Sequence, residues 1–216
     1  MPTEIKAIIF DYDGVVVDTL KQTMDAFNIL SKKYKYKPLA NKDDFVRTFD
    51  KNMVDVLLNL GLSTLRIPIF LNDCKKELKA SNKKVKVIPG IGQLCEVLSE
   101  HFQLALVTSN FKELVSEVLT RDKIQGKFKV IITDEPTVKK SQKIRQCIEQ
   151  LGLKSNEIVF IADTFGDIME AKEAHVKTIA VTWGYQLKSK LLPASPDFIV
   201  DKPSELLEAL NVMMQE

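Results

Sequence analysis

Two carboxylates one residue apart, Asp11 and Asp13, close an apolar run that reads Ile8-Ile9-Phe10-Asp11-Tyr12-Asp13-Gly14. A strand gains no stability by ending this way, because neighbouring carboxylates repel and glycine weakens the element it joins. The residue types suit two kinds of chemistry. One is a divalent cation held by hard oxygen ligands, and the other is a carboxylate nucleophile paired with a carboxyl acid and base. A second acidic pair, Asp163 and Asp167, follows another apolar run in Ala162-Asp163-Thr164-Phe165-Gly166-Asp167. Val107-Thr108-Ser109-Asn110 offers hydroxyl and backbone donors, and Lys139-Lys140 places an ammonium ahead of a helix, where it could neutralise an anionic substrate. Two unit charges about 4 Å apart repel by roughly 4 kcal/mol at an effective dielectric near 20. A pocket that gathers several carboxylates therefore needs protons or a cation. Mg2+ suits this donor set, since it takes oxygen ligands and binds through a few carboxylates plus a substrate phosphate. Zn2+ suits it poorly, because His101 and His175 lie far from the acidic stations and are unpaired.

These stations belong together only if the elements between them bring strand ends to one place. Short apolar, β-rich runs occur at Ile5–Phe10, Gln103–Thr108, Val130–Thr133, Ile158–Ala162, Thr178–Thr182 and Phe198–Val200. Helical patterns alternate with them at Ile91–Ser99, Lys112–Thr120, Gln142–Leu151, Asp167–Ala174 and Pro203–Met214. The alternation predicts an α/β fold, a doubly wound parallel sheet covered on both faces, whose ligands gather at the carboxyl ends of the strands. Asp11, Asp13, Thr108 and Asp163 all sit at or just after such ends. Residues 19–86 interrupt the pattern with helices alone, at Lys21–Lys33, Asp43–Phe49, Lys51–Leu60 and Ile69–Ala80. The expected division is an α/β core domain at 1–17 and 87–216 and a small all-helical cap domain at 18–86. Within the cap, Asp18-Thr19 is expected to cap the first helix, and Arg47, Lys51 and Asn52 are residues that could touch substrate.

Composition narrows the function class. The 216 residues are 45% hydrophobic and 28% charged with a formal net charge of +2, the profile of an ordinary globular protein. No run approaches about 18 apolar residues and the first residues lack a signal-peptide pattern, so neither a membrane partner nor secretion is expected. Cys74, Cys95 and Cys147 are odd in number and widely spaced, which fits a reducing, cytoplasmic location. Residues 19–86 carry 15 basic against 7 acidic side chains, and the rest of the chain 16 against 22. The basic run Lys32-Lys33-Tyr34-Lys35-Tyr36-Lys37 reads as a solvated helical face rather than a nucleic-acid surface. No oligomeric state follows from the sequence.

The chain resembles the haloacid-dehalogenase-like hydrolase superfamily, and within it the phosphoglycolate-phosphatase-like group with a helical cap after the first motif. The likeness spans the whole chain through Asp11–Thr19, Thr108, a lysine near 139, Asp163 with Asp167, and Val181-Thr182-Trp183-Gly184-Tyr185. The resemblance implies that Asp11 attacks phosphorus and that Asp13 protonates the leaving alcohol and then activates water. It also implies that Mg2+ is bound by Asp11, the backbone carbonyl of Asp13, Asp163 and, directly or through water, Asp167. Thr108, Ser109, Asn110 and Lys139 would hold the phosphoryl oxygens, with Lys140 as the alternative to Lys139. Dehalogenases and phosphonate-cleaving members lack an acid two residues after the nucleophile, so Asp13 favours phosphate esters. Two positions depart from the usual pattern. Ala162 replaces a glycine, and His175, read as structural, stands where a glycine often ends the helix. The implied function is a Mg2+-dependent phosphatase of small phosphorylated metabolites. The alternatives are a sugar-phosphate mutase of the β-phosphoglucomutase type and a non-catalytic binding module.

Overall fold

Strands buried on both faces need apolar side chains at every position, and Ala7-Ile8-Ile9-Phe10 supplies four. The computed structural model describes residues 4–48, 53–133 and 137–215. Its strands are β1 (Ala7–Phe10), β2 (Val17–Asp18), β3 (Lys86–Val87), β4 (Gln103–Val107), β5 (Phe128–Ile132), β6 (Ile158–Ala162), β7 (Lys177–Val181) and β8 (Phe198–Val200). Six of them form one sheet in the order β5-β4-β1-β6-β7-β8, parallel at every pairing. The helices are α1 (Leu20–Tyr34), α2 (Lys42–Thr48), α3 (Met53–Asn59), α4 (Ile67–Ser81), α5 (Ile91–Ser99), α6 (Lys112–Arg121), α7 (Lys140–Leu151), α8 (Phe165–Glu173), α9 (Lys188–Leu191) and α10 (Leu206–Met213).

The period of two along each strand sorts the core into two layers. Ile8, Phe10, Leu104, Leu106, Val159 and Ile161 pack with Leu94 and Leu98 of α5, Val115 and Leu119 of α6, and Leu206 and Leu210 of α10. Ala7, Ile9, Ala105, Val107, Ile158 and Phe160 face the other way, onto Ile144 and Cys147 of α7 and Ile168 and Ala171 of α8. The strand order reverses about β1, which pairs with β4 on one side and β6 on the other. Such a switch point opens a crevice at the carboxyl ends, and Asp11 stands at its lip.

Helices α1 to α4 gather around a cluster of their own, formed by Phe27, Leu30, Tyr34, Phe45, Leu57, Phe70 and Cys74. The chain enters and leaves this helical segment through β2 and β3, an antiparallel ribbon that pairs Val17 with Val87 and Asp18 with Lys86. The expected boundaries at 17/18 and 86/87 fall on that ribbon. Two residues per strand are too few for a periodic pattern, which is why the ribbon was not expected. Among the elements that were expected, α7 begins two residues earlier, at Lys140, and the final helix splits into a 3-10 turn at Pro203–Glu205 followed by α10. Phe49, Lys51 and Asn52 lie outside the described residues. Cys74, Cys95 and Cys147 are buried free thiols. No single helix among the described residues is long and apolar enough to cross a membrane.

Candidate active site

Asp11 continues β1 by donating its backbone N–H to the Ile161 carbonyl at 3.0 Å. Its carboxylate accepts from the Tyr12 N–H at 2.7 Å and meets the Lys140 ammonium at 2.8 Å. The turn that follows requires Gly14, whose φ is +78° and whose missing side chain leaves room for Asp163. A Cβ at Gly14 would stand 2.1 Å from Asp163 Oδ2, and one at Gly184 would stand 2.3 Å from the same oxygen. Both glycines are thus fixed by the space one carboxylate occupies.

Asp13 points to a different set of partners. It accepts hydrogen bonds from Thr19 Oγ1 at 2.6 Å, Asn110 Nδ2 at 3.0 Å and Thr108 Oγ1 at 3.4 Å. Of the pair expected to cap α1, Asp18 accepts the N–H of Leu20, the first residue of the helix, at 3.2 Å, and only the part given to Thr19 is corrected. The Thr19 side chain makes no cap bond and gives its proton to Asp13 instead. Since Thr19 has one proton to give, the Tyr185 hydroxyl must donate to Thr19 Oγ1 in the contact between them. The result is a relay from Tyr185 through Thr19 to Asp13. Burial pushes the Asp13 carboxyl above the usual range, opposed by the bonds from Thr19 and Asn110.

The lysine station resolves to the second of the two residues. Lys140 is the first residue of α7, its side chain is 10% exposed, and its ammonium lies 2.7 Å from Asp167 as well as against Asp11. Lys139 precedes the helix with an extended backbone, is 58% exposed, and among the described acids pairs with Glu173, at 3.9 Å. The expected Lys139 is therefore placed outside the acidic cluster, and Lys140 takes its position. Lys143, one turn further along α7, is buried and donates to the Thr108 carbonyl at 3.0 Å and to Ser109 Oγ at 3.3 Å. It was not singled out from the sequence, although its spacing of three from Lys140 puts both on one helical face.

Asp163 directly follows β6 and is fully buried, with Oδ2 accepting from the Tyr185 N–H at 2.7 Å. Its Oδ1 has no hydrogen-bond partner among the described residues. Asp167 sits in the first turn of α8, where its N–H bonds the Thr164 hydroxyl at 3.1 Å and its carboxylate accepts from that hydroxyl at 2.8 Å. Carboxylate oxygens of Asp11, Asp163 and Asp167 all lie within 4.8 Å of one another. A buried oxygen without a donor, inside a set of three hard ligands, fits a divalent cation such as Mg2+. The Asp13 carboxylate is not in this set.

Electrostatics sharpen the same division. Burial pushes Asp11 well above the usual carboxylate range against the pull of Lys140, and the Asp167 and Asp163 charges push the same way. Asp163 is pushed up to about 7, again by burial first. Burial would raise Asp167 too, but Lys140 more than reverses this and holds it below the usual range. Burial works against the Lys140 charge, and Asp11 and Asp167 overcome it, so the ammonium stays protonated.

The family model for haloacid dehalogenase-like hydrolases matches residues 8–181. The chain belongs to that family. Among its family relatives it is similar to a phosphoglycolate phosphatase of Synechococcus elongatus, at 24% identity over 98% of this chain and 100% of the relative. It is also similar to the pyrophosphatase PpaX of Bacillus cereus, at 26% identity over 97% and 98% of the two chains. A solved haloacid dehalogenase-like hydrolase from Streptococcus pneumoniae superposes with a TM-score of 0.82 and 26% identity, covering 94% of this chain and 97% of that one. Membership of this hydrolase family agrees with the six-stranded parallel sheet and its flanking helices.

Proposed function

We propose that the protein is a Mg2+-dependent phosphatase of small phosphomonoesters that works through a phosphoryl group carried on Asp11. The observation that carries the reading is the unequal surroundings of the two first-motif acids. Asp11 faces the cation-type cluster, while Asp13 is held apart by Thr19, Thr108 and Asn110 with its carboxyl raised toward proton transfer.

In this reading an Asp11 oxygen attacks phosphorus, the bond from phosphorus to the leaving oxygen breaks, and Asp13 gives that oxygen its proton. Asp13 then takes a proton from water, which attacks the same phosphorus, releasing inorganic phosphate and restoring Asp11. Asp11, the Asp13 carbonyl, Asp163 and Asp167 would hold Mg2+, which supplies neutralisation of the phosphoryl oxygens. Thr108, Ser109, Asn110 and Lys140 hold those oxygens in line, with Lys143 fixing Ser109 from below. Positioning and charge neutralisation dominate phosphoryl transfer, and Thr108, Ser109, Asn110, Lys140 and the acidic cluster contribute to one or the other. Residues 18–86 act as a cap that covers the strand ends and keeps bulk water from them.

Asp11→Asn keeps the size of the side chain and removes the nucleophile. It is expected to abolish phosphate release from p-nitrophenyl phosphate while the circular dichroism spectrum stays unchanged. Undiminished turnover would overturn the mechanism.

A further inference from the structure

The cavity over the strand ends has a volume of about 190 Å3, small beside the roughly 300–1,000 Å3 of pockets that hold drug-sized ligands. Its two sides differ in chemistry. The floor carries the carboxylates, Thr108 to Asn110 and Lys140. The helical segment contributes Phe27, Phe45, Met53, Leu71, Cys74, Leu78 and, with a hydroxyl, Thr23. Among the described residues that line the cavity, Lys140 is the one cation, and its ammonium already joins Asp11 and Asp167. Of the basic residues in 19–86, Lys32, Lys33, Lys35, Lys37, Lys83 and Lys84 are exposed and do not line the cavity. Arg47 is also exposed and pairs with Asp44 at 2.5 Å.

A phosphoryl group seated on the floor directs its leaving group at this apolar wall. Resting on the phosphatase reading above, we infer that the leaving group is a small uncharged apolar alcohol, branched aliphatic or aromatic. Among the described lining residues no second cation faces a carboxylate or second phosphate in that place, and Thr23 is the one hydroxyl they offer a polyol from the helical side. An apolar leaving group needs neither and gains from each methylene it buries.

The test measures kcat/KM with Mg2+ along ethyl, propyl and 3-methylbutyl phosphate, whose leaving alcohols have similar basicity, beside 2-phosphoglycolate, glucose 6-phosphate and pyrophosphate. The inference expects a rise of at least about 10-fold from ethyl to 3-methylbutyl, consistent with the value of a methylene in an apolar pocket. It also expects the three polar compounds to fall below 3-methylbutyl phosphate. A flat series, or preference for any of the polar three, overturns the inference and leaves the phosphatase reading standing. Calorimetry with inert 3-methylbutylphosphonate and phosphonoacetate separates the opposite case. If no ester is hydrolysed yet the alkylphosphonate binds at least about 10-fold tighter, the phosphatase reading falls and the inferred wall stands; equal binding overturns the inference. Leu71→Arg, with Leu78→Arg as the second carrier of the charge, should shift the ratio of phosphoglycolate to 3-methylbutyl phosphate turnover upward about 10-fold. An unchanged ratio in both folded variants also overturns it.

Discussion

A buried ammonium between two carboxylates is secure only while all three remain, and Lys140 meets Asp11 at 2.8 Å and Asp167 at 2.7 Å. Lys140→Met removes the shared countercharge and leaves the acids to repel each other. Removing one partner of a buried ion pair costs about 3–5 kcal/mol, and partial protonation of Asp11 keeps the loss near the lower figure. Chemical denaturation should show that drop, with phosphate release reduced at least about 100-fold. Lys139→Ala should stay within about 0.5 kcal/mol and keep full activity, as expected for an exposed side chain away from the cluster. The choice between the two lysines was legible in the sequence, though not through the motif. Lys140 shares a helical stripe with Ile144, Cys147 and Leu151, all buried, and Lys139 falls outside it. The tie from Thr19 to Asp13 was not legible, because a threonine before a helix is so often a cap that no local rule distinguishes the exception.

Long apolar runs made the six sheet strands readable, since a strand covered on both faces leaves a continuous signature. The β2–β3 ribbon left none, and its pairing depends on two segments about seventy residues apart returning to one place. Helix ends were readable to within two residues where turn chemistry marked them. One such end holds a strained residue. His175 follows α8 with φ of +59°, its N–H bonded to the Lys172 carbonyl at 2.9 Å. Left-handed backbone costs a side-chain-bearing residue roughly 1–2 kcal/mol, and glycine's greater freedom in the unfolded chain returns part of any gain. His175→Gly is therefore expected to raise stability by about 0.5–1 kcal/mol, read from the denaturation midpoint, with turnover unchanged.

At the scale of the molecule, the acidic cluster joins β1, β6 and α8, so a cation there ties separate parts of the chain together. Its value depends on pH with a definite sign. Asp163 has a folded-state value near 7 against 3.8 in an ordinary environment. Without a cation the folded protein keeps a proton that the unfolded chain gives up, and stability falls as pH rises from about 4 to about 7. A cation takes the place of that proton. Mg2+ should raise the melting temperature more at pH 8 than at pH 5.5, and EDTA should erase the difference. Equal shifts at both values would contradict the assignment of Asp163 as a ligand.

The sheet order also sets a timetable during synthesis. β1 emerges first, yet its ladder partners β4 and β6 begin at Gln103 and Ile158. At about 5–20 residues per second, this strand waits on the order of ten seconds for one neighbour and longer for the other. The cluster of α1 to α4 can form during that delay from residues 27 to 74, with no strand of the main sheet among them. A nascent chain stalled before Gln103 would then carry a collapsed helical segment beside four apolar residues with both edges open, a species that invites chaperone capture.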